Sequence, residues 1–243
     1  MKLHGTMRRT VGLLLAAFLL TQPAALFPVS AAKSDDADTA DLLLTAAEDT
    51  ETLYVEQETY SDYFDRYSGE TRPDTEILVE GTDYTDLEET GDGTISVGSF
   101  GSEYGQEIKD NILIWDASDG TVTYNVTIPE TGVYTFEFSY MPIPSNMANI
   151  EFSILVDGEV PYDTASRATL NKVYMNNGEI TLDSKGNQVR PSQKQVGLWL
   201  DTPLMDVEGL FNDPLLFYFE KGKHEIIFEI SKGFFALEYF KLT

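Results

Sequence analysis

In six stretches of this chain, apolar side chains alternate with polar ones at a period of two. Val122, Tyr124, Val126 and Ile128 are separated by Thr123, Asn125 and Thr127. Tyr134, Phe136, Phe138 and Tyr140 repeat the pattern, as do Ile150, Phe152, Ile154 and Val156. Residues 215–219, 225–230 and 235–242 follow it near the end. Successive side chains of a strand point to opposite faces, so each stretch reads as a strand with one face in a core. Asp119-Gly120, residues 129–132, Asp157-Gly158 and residues 221–223 are turn signals between them. No helical pattern alternates with these strands, which excludes a parallel sheet with helical crossovers. The sequence predicts an all-β fold, an antiparallel β-sandwich or jelly roll, over residues 75–243.

The 243 residues include no cysteine, which removes disulfides, thiolate metal sites and a cysteine nucleophile. The formal charge is −25, and a surface so acidic repels phosphate backbones, so no nucleic-acid partner is expected. A hydrophobic content of 42% is nevertheless that of a folded chain. Residues 1–31 carry Lys2, Arg8 and Arg9 without any acid, then an apolar run from Val11 to Leu20, then Val29-Ser30-Ala31. This is the pattern of a secretory signal peptide cut after Ala31 or Ala32. The run is short for a bilayer span, so a secreted protein with no membrane span after cleavage is expected. Loss of three basic residues and no acid takes the charge from −25 to −28. Residues 32–52 read as a flexible acidic segment and 53–74 as a helix with its linker. Tyr60, Phe64 and Tyr67 place an aromatic packing stripe on a helix over about 53–67.

Catalytic signatures are weak. His224 is the one histidine after residue 31, and it heads a predicted strand behind a turn, a poor place for a triad. No acid pair sits in a context that marks a buried general acid. Gly98, Gly101 and Gly105 lie in a Ser/Gly-rich stretch that reads as a loop without the strand-to-helix setting of a nucleotide fingerprint. Residues 183–187 lack the ligand spacing of a calcium loop and read as a turn. The chain is therefore expected not to be an enzyme. Residues 161–213 have weak periodicity but hold many amides with Arg167, Arg190, Tyr162, Tyr174 and Trp199, and they read as a long functional connection. Aromatic rings stack on sugar faces and amides bond sugar hydroxyls, so a carbohydrate ligand fits that composition. Trp115 and Trp199 also have the ordinary alternative of a core position.

Residues 77–84, Ile-Leu-Val-Glu-Gly-Thr-Asp-Tyr, resemble the opening strand of carbohydrate-binding modules of families six and thirty-five, and residues 237–242 resemble their closing strand. A closer resemblance is to the amino-terminal domain of extracellular solute-binding proteins of Gram-positive sugar ABC transporters. It is carried by residues 119–124, 132–134, 140–142, 156–158 and 161–162, by Asp183, Gly186-Asn187, residues 190–193 and Trp199, and by residues 214–222. The resemblance implies a galactose-binding-like jelly roll without catalysis, and calcium held near Glu80 and Glu238. Where those proteins are expected to carry Arg-x-Trp, this chain has Lys172-Val173-Tyr174. They also continue for two further lobes, so a module and not a whole receptor is expected here.

The expected ligand-binding residues are Tyr162, Arg167, Asn187, Arg190, Gln193 and Trp199, with the aromatics stacking and the others orienting hydroxyls. Glu80 and Glu238 are the expected metal ligands. The rival expectation is a docking domain for a transporter component at the cell surface, in which the same polar stretch is a structural brace.

Overall fold

The computed structural model describes residues 57–101, 108–147 and 149–243. The predicted signal peptide, the acidic segment and residues 53–56 of the predicted helix lie outside them. One helix, α1 (Tyr60–Tyr67), precedes the strands β1 (Ile77–Glu80), β2 (Asp86–Glu89), β3 (Gly93–Phe100), β4 (Lys109–Ala117), β5 (Gly120–Ile128), β6 (Gly132–Pro142) and β7 (Ile150–Val156). A 3-10 turn (Asp163–Arg167) leads into β8 (Ala168–Leu170), β9 (Val173–Asn176), β10 (Thr181–Leu182), β11 (Gln188–Val189), β12 (Gln193–Val196) and β13 (Leu200–Pro203). The chain ends through β14 (Leu216–Phe219), β15 (Gly222–Lys232) and β16 (Phe235–Leu242). Among the described residues, no helix is long and apolar enough to cross a membrane.

Two antiparallel sheets form the sandwich. The larger is ordered β13-β6-β16-β4-β3, with β1 on the second half of β16 and β14 on the first half of β6. The smaller is ordered β2-β5-β15-β7-β8. The alternating residues face one another between them. Phe240 lies 5.0 Å from Phe228 and 5.0 Å from Tyr124 between ring centres, and Phe138 lies 5.6 Å from Phe152. Most of these pairs are tilted or edge-on, the arrangement that ring quadrupoles favour. Trp115 is fully buried in the same core.

α1 closes an edge of this sandwich. Thr59 caps it by accepting a hydrogen bond from the Asp62 amide, and Asp62 places negative charge in the first turn. Tyr60 and Tyr63 turn inward, and their hydroxyls accept from the Leu216 amide (3.0 Å) and the Tyr218 amide (2.7 Å). Those amides lie on the free edge of β14, so two phenols satisfy donors that would otherwise be stranded away from water. Burial pushes the Tyr63 hydroxyl up to about 12. The helix starts at Tyr60, after Thr59 in an extended conformation, later than the sequence predicts.

Residues 161–213 are the main departure. They were expected as a connection, yet they contain β8 through β13. β9 pairs with β12 and β10 with β11, and the Asn177 amide donates to the Ser192 carbonyl (2.7 Å) between the two pairs. The result is a two-part hairpin arm whose residues 174–190 are all exposed. With water on both faces, such an arm has no buried side to write an alternation into its sequence. Gly98 also lies in a strand, β3, and not in a loop.

Tyr63→Phe removes one of the two acceptors from the β14 edge. Chemical denaturation should show a loss of about 1–3 kcal/mol, the cost of a buried donor left without a partner. A change below about 0.5 kcal/mol would show that the helix does not hold this edge.

Candidate ligand-binding groove

The arm is fixed to the sandwich at its root. The Gln195 amide makes a reciprocal pair with the Ser145 backbone: its Oε1 accepts from the Ser145 N–H (3.1 Å) and its Nε2 donates to the Ser145 carbonyl (2.9 Å). The same Nε2 donates to the Tyr174 hydroxyl (3.2 Å). Lys172 Nζ donates to Ser145 Oγ (2.8 Å) and to the Met147 carbonyl (3.1 Å). Burial holds the Lys172 ammonium below the usual lysine range. Tyr140, near the end of β6, donates to the Asn171 carbonyl (2.9 Å). The chain after β6 is thus tied to both strands of the arm's root.

Between that segment and the arm lies an open groove of about 390 Å³ lined by Pro144, Ser145, Asn146, Tyr174, Gln193 and Gln195. The strand register pairs Gln195 with Tyr174 and Gln193 with Asn176, which sets all four on one face of the arm. Tyr174 is 46% exposed and offers a ring next to two glutamine amides. None of the lining residues is charged, although the chain carries 41 acids. A ring face flanked by amides and a serine can stack on an apolar sugar face and exchange hydrogen bonds with hydroxyls.

Of the six residues expected to bind ligand, Gln193 alone lines this groove. Tyr162 is fully buried, with its ring 4.8 Å from Tyr60, 4.7 Å from Tyr63 and 5.2 Å from Phe217, so it cannot stack on a ligand. Arg167 ends the 3-10 turn and lines a different pocket of about 310 Å³ with Asn149, Glu151, Asp206 and Glu208. Asn187 closes the turn between β10 and β11, where its amide donates to Asp183 Oδ2 (2.9 Å) and its N–H to Asp183 Oδ1 (2.8 Å). Those bonds hold the Asp183 carboxyl below the usual range. Arg190 is exposed just beyond β11. Trp199 is half-buried on the outer face of the larger sheet, packed over Ile112, Met141 and Ala236 beside Phe100 and Ile114.

Tyr174 was named among the aromatics of residues 161–213 but left out of the expected ligand set, and Gln195, Ser145, Asn146 and the role of Lys172 were missed. Lys172-Val173-Tyr174, read as a departure, leads into β9 and brings the exposed ring to the groove. The one available signal was the alternation Gln193-x-Gln195, which puts two amides on one strand face.

His224 Nδ1 lies 2.7 Å from Asp157 Oδ2 and its Nε2 lies 2.7 Å from the Glu220 carbonyl, so this residue ties together two turns of the sandwich. The Asp157 carboxyl is lowered against the opposing effect of its burial, by the Glu225 amide and by His224.

The expected metal ligands meet a different chemistry. The β16 register shifts between Leu237 and Tyr239 against β6, a bulge that puts both Glu238 and Tyr239 opposite Ser139. The Glu238 carboxylate accepts from Lys109 Nζ and from Ser139 Oγ (2.7 Å). Glu80 stands opposite Tyr239 on β1 and is exposed. The adjoining Gly81 N–H donates to the Glu238 carbonyl (2.7 Å), and a Cβ there would sit 2.5 Å from the Leu237 carbonyl oxygen. Among the described residues, no group of three or more His, Asp or Glu side chains comes together to hold a metal ion. This donor set does not fit calcium, which takes about six to eight oxygens.

No known protein family matches the sequence, and no curated protein matches it. Among solved structures, the chain is similar to a family 35 carbohydrate binding module from Clostridium thermocellum, at 15% identity over 69% of this chain and 97% of that one, with a TM-score of 0.37. It is similar to a family 35 module from Paenibacillus barcinonensis at 12% identity, over 69% of this chain and 98% of that one, with a TM-score of 0.35. It is also similar to the GH26-CBM35 β-(1,4)-mannanase of Podospora anserina at 10% identity and a TM-score of 0.37, over 70% of this chain and only 28% of the mannanase. No residue correspondence is carried over from likenesses of this size.

Trp199 separates a packing role from a ligand role. Trp199→Ala should cost stability, toward the lower end of the about 3–5 kcal/mol typical of buried aromatic truncations, because its ring is only partly covered. Equilibrium unfolding measures it. An unchanged stability would mean that the ring is free to serve a ligand.

Proposed function

We propose that this chain is an exported, non-catalytic carbohydrate-binding module that takes a neutral saccharide in the groove between the arm and the segment after β6. The observation that carries the reading is the exposed Tyr174 ring, set beside Gln193 and Gln195 and fixed by the reciprocal Gln195–Ser145 bonds. Tyr174 stacks on the sugar, Gln193 and Asn146 orient hydroxyls, and Gln195 keeps the groove in shape before the ligand arrives. Preformed polar groups lower the ordering cost of binding. A groove without carboxylates also spares a sugar from displacing tightly hydrated charges.

The resemblance to solute-binding proteins supports a place in extracellular sugar capture, with the module presenting saccharide to a transporter. A second reading, docking onto such a cell-surface component without sugar binding, rests on the outer arm. Ile180, Leu182 and Val189 are 57%, 68% and 45% exposed there, more apolar surface than a solvated hairpin needs.

Affinity electrophoresis against a panel of neutral polysaccharides, followed by calorimetry, tests the first reading. The wild-type chain should bind at least one, and Tyr174→Ala should weaken binding at least tenfold with an unchanged melting temperature. Absence of binding to the whole panel, or binding that survives Tyr174→Ala, would favour the docking reading.

A further inference from the structure

We infer that Lys109 supplies from within the chain the positive charge that Glu238 of the closing strand calls for, so that the sandwich is complete without a divalent cation. Four observations meet at this one side chain. Glu238 stands at the β16 bulge, next to β1, whose Glu80 pairs with Tyr239. The Lys109 ammonium reaches across from β4 and donates to the Glu238 carboxylate. Ser139 of β6 donates to the same oxygen (2.7 Å). The ammonium also lies 4.5 Å from the centre of the Trp199 ring, which belongs to the segment entering β13.

Each contact answers a need of another. The Glu238 carboxylate gains a charge-assisted pair. The ammonium gains a carboxylate on one side and the negative face of an indole on another. The pair is only partly open to water, with side-chain exposures of 27% for Lys109 and 25% for Glu238, so it is screened less than a surface ion pair. A tethered ammonium here does what a bridging cation does elsewhere: it links β4 to β16 and to the segment before β13, while β6 joins through Ser139 on the same carboxylate. It also repels any second cation that approaches Glu238.

The inference is independent of the sugar groove, so failure of one leaves the other standing. Thermal melts of the purified chain in EGTA and in millimolar calcium chloride, for wild type, Lys109→Met and Lys109→Arg, test it. The wild-type melting temperature should be the same in both buffers. Lys109→Met should melt about 2–4 °C lower, the size expected for loss of one partly buried interaction in a domain of this length. Lys109→Arg should recover most of that loss by keeping the charge. Calorimetric titration of wild type with calcium should show no binding. A wild-type melting temperature that falls in EGTA and returns with calcium would overturn the inference, as would a Lys109→Met protein that melts like wild type.

Discussion

The layer of phenylalanines between the sheets decides where everything else in this molecule can go. Phe136 and Phe138 of β6, Phe152 of β7, Phe228 of β15 and Phe240 of β16 pack ring against ring across the sandwich. A slip of one residue in any of these strands would turn its rings into water, so the register is strongly fixed. Once β6 is fixed, Ser139 and Met141 must face outward and Tyr140 inward, and the chain must leave the sheet at Pro142. The groove begins just there, because the segment after Pro142 is what Gln195 and Lys172 hold. At the Glu238 bulge inward and outward positions lose their alternation, and a charge pair stands there.

The strands that carry this layer were legible because half-burial writes a period of two into the sequence. Val122–Ile128, Tyr134–Tyr140 and Ile150–Val156 fall within β5, β6 and β7. In α1 half-burial writes a helical period instead, the i, i+4, i+7 spacing of Tyr60, Phe64 and Tyr67. Tyr162 was not, because it follows β7 outside any periodic run. Its ring is buried by Tyr60 and Tyr63, which lie about a hundred residues earlier in the chain. Composition there gave the right residue type for a sugar platform, but only long-range packing says which aromatic rings remain open. The arm was illegible for the opposite reason: its residues face water on every side, so no pattern separates strand from loop. Trp199 fell between these cases, since it covers the outside of a sheet and contributes to no alternation.

Charge is distributed with the same logic. The chain is strongly acidic, yet acids are absent from the groove lining, and two lysines hold the main joints around the larger sheet. Lys172 ties the segment after β6 to the arm, while Lys109 joins Glu238 to Trp199. Net negative charge keeps such a surface apart from other polyanions, while the groove is lined by a proline, a serine, three amides and a tyrosine. The two sites expected separately from the sequence, an aromatic sugar platform at Trp199 and a metal ligand at Glu238, converge on one lysine, and neither of them lies in the groove.

On the proposed reading, ligand meets the arm face of Tyr174 and Gln193, and not the Trp199 surface. Amide chemical-shift mapping with a neutral oligosaccharide that the chain binds examines both surfaces at once. Shifts confined to residues 144–146, 174–176 and 193–195, with the Trp199 indole signal unmoved, are the expected result. Shifts centred on Trp199, Arg190 or the pocket beside Arg167, with the Tyr174 and Gln193 amides unmoved, would contradict the account.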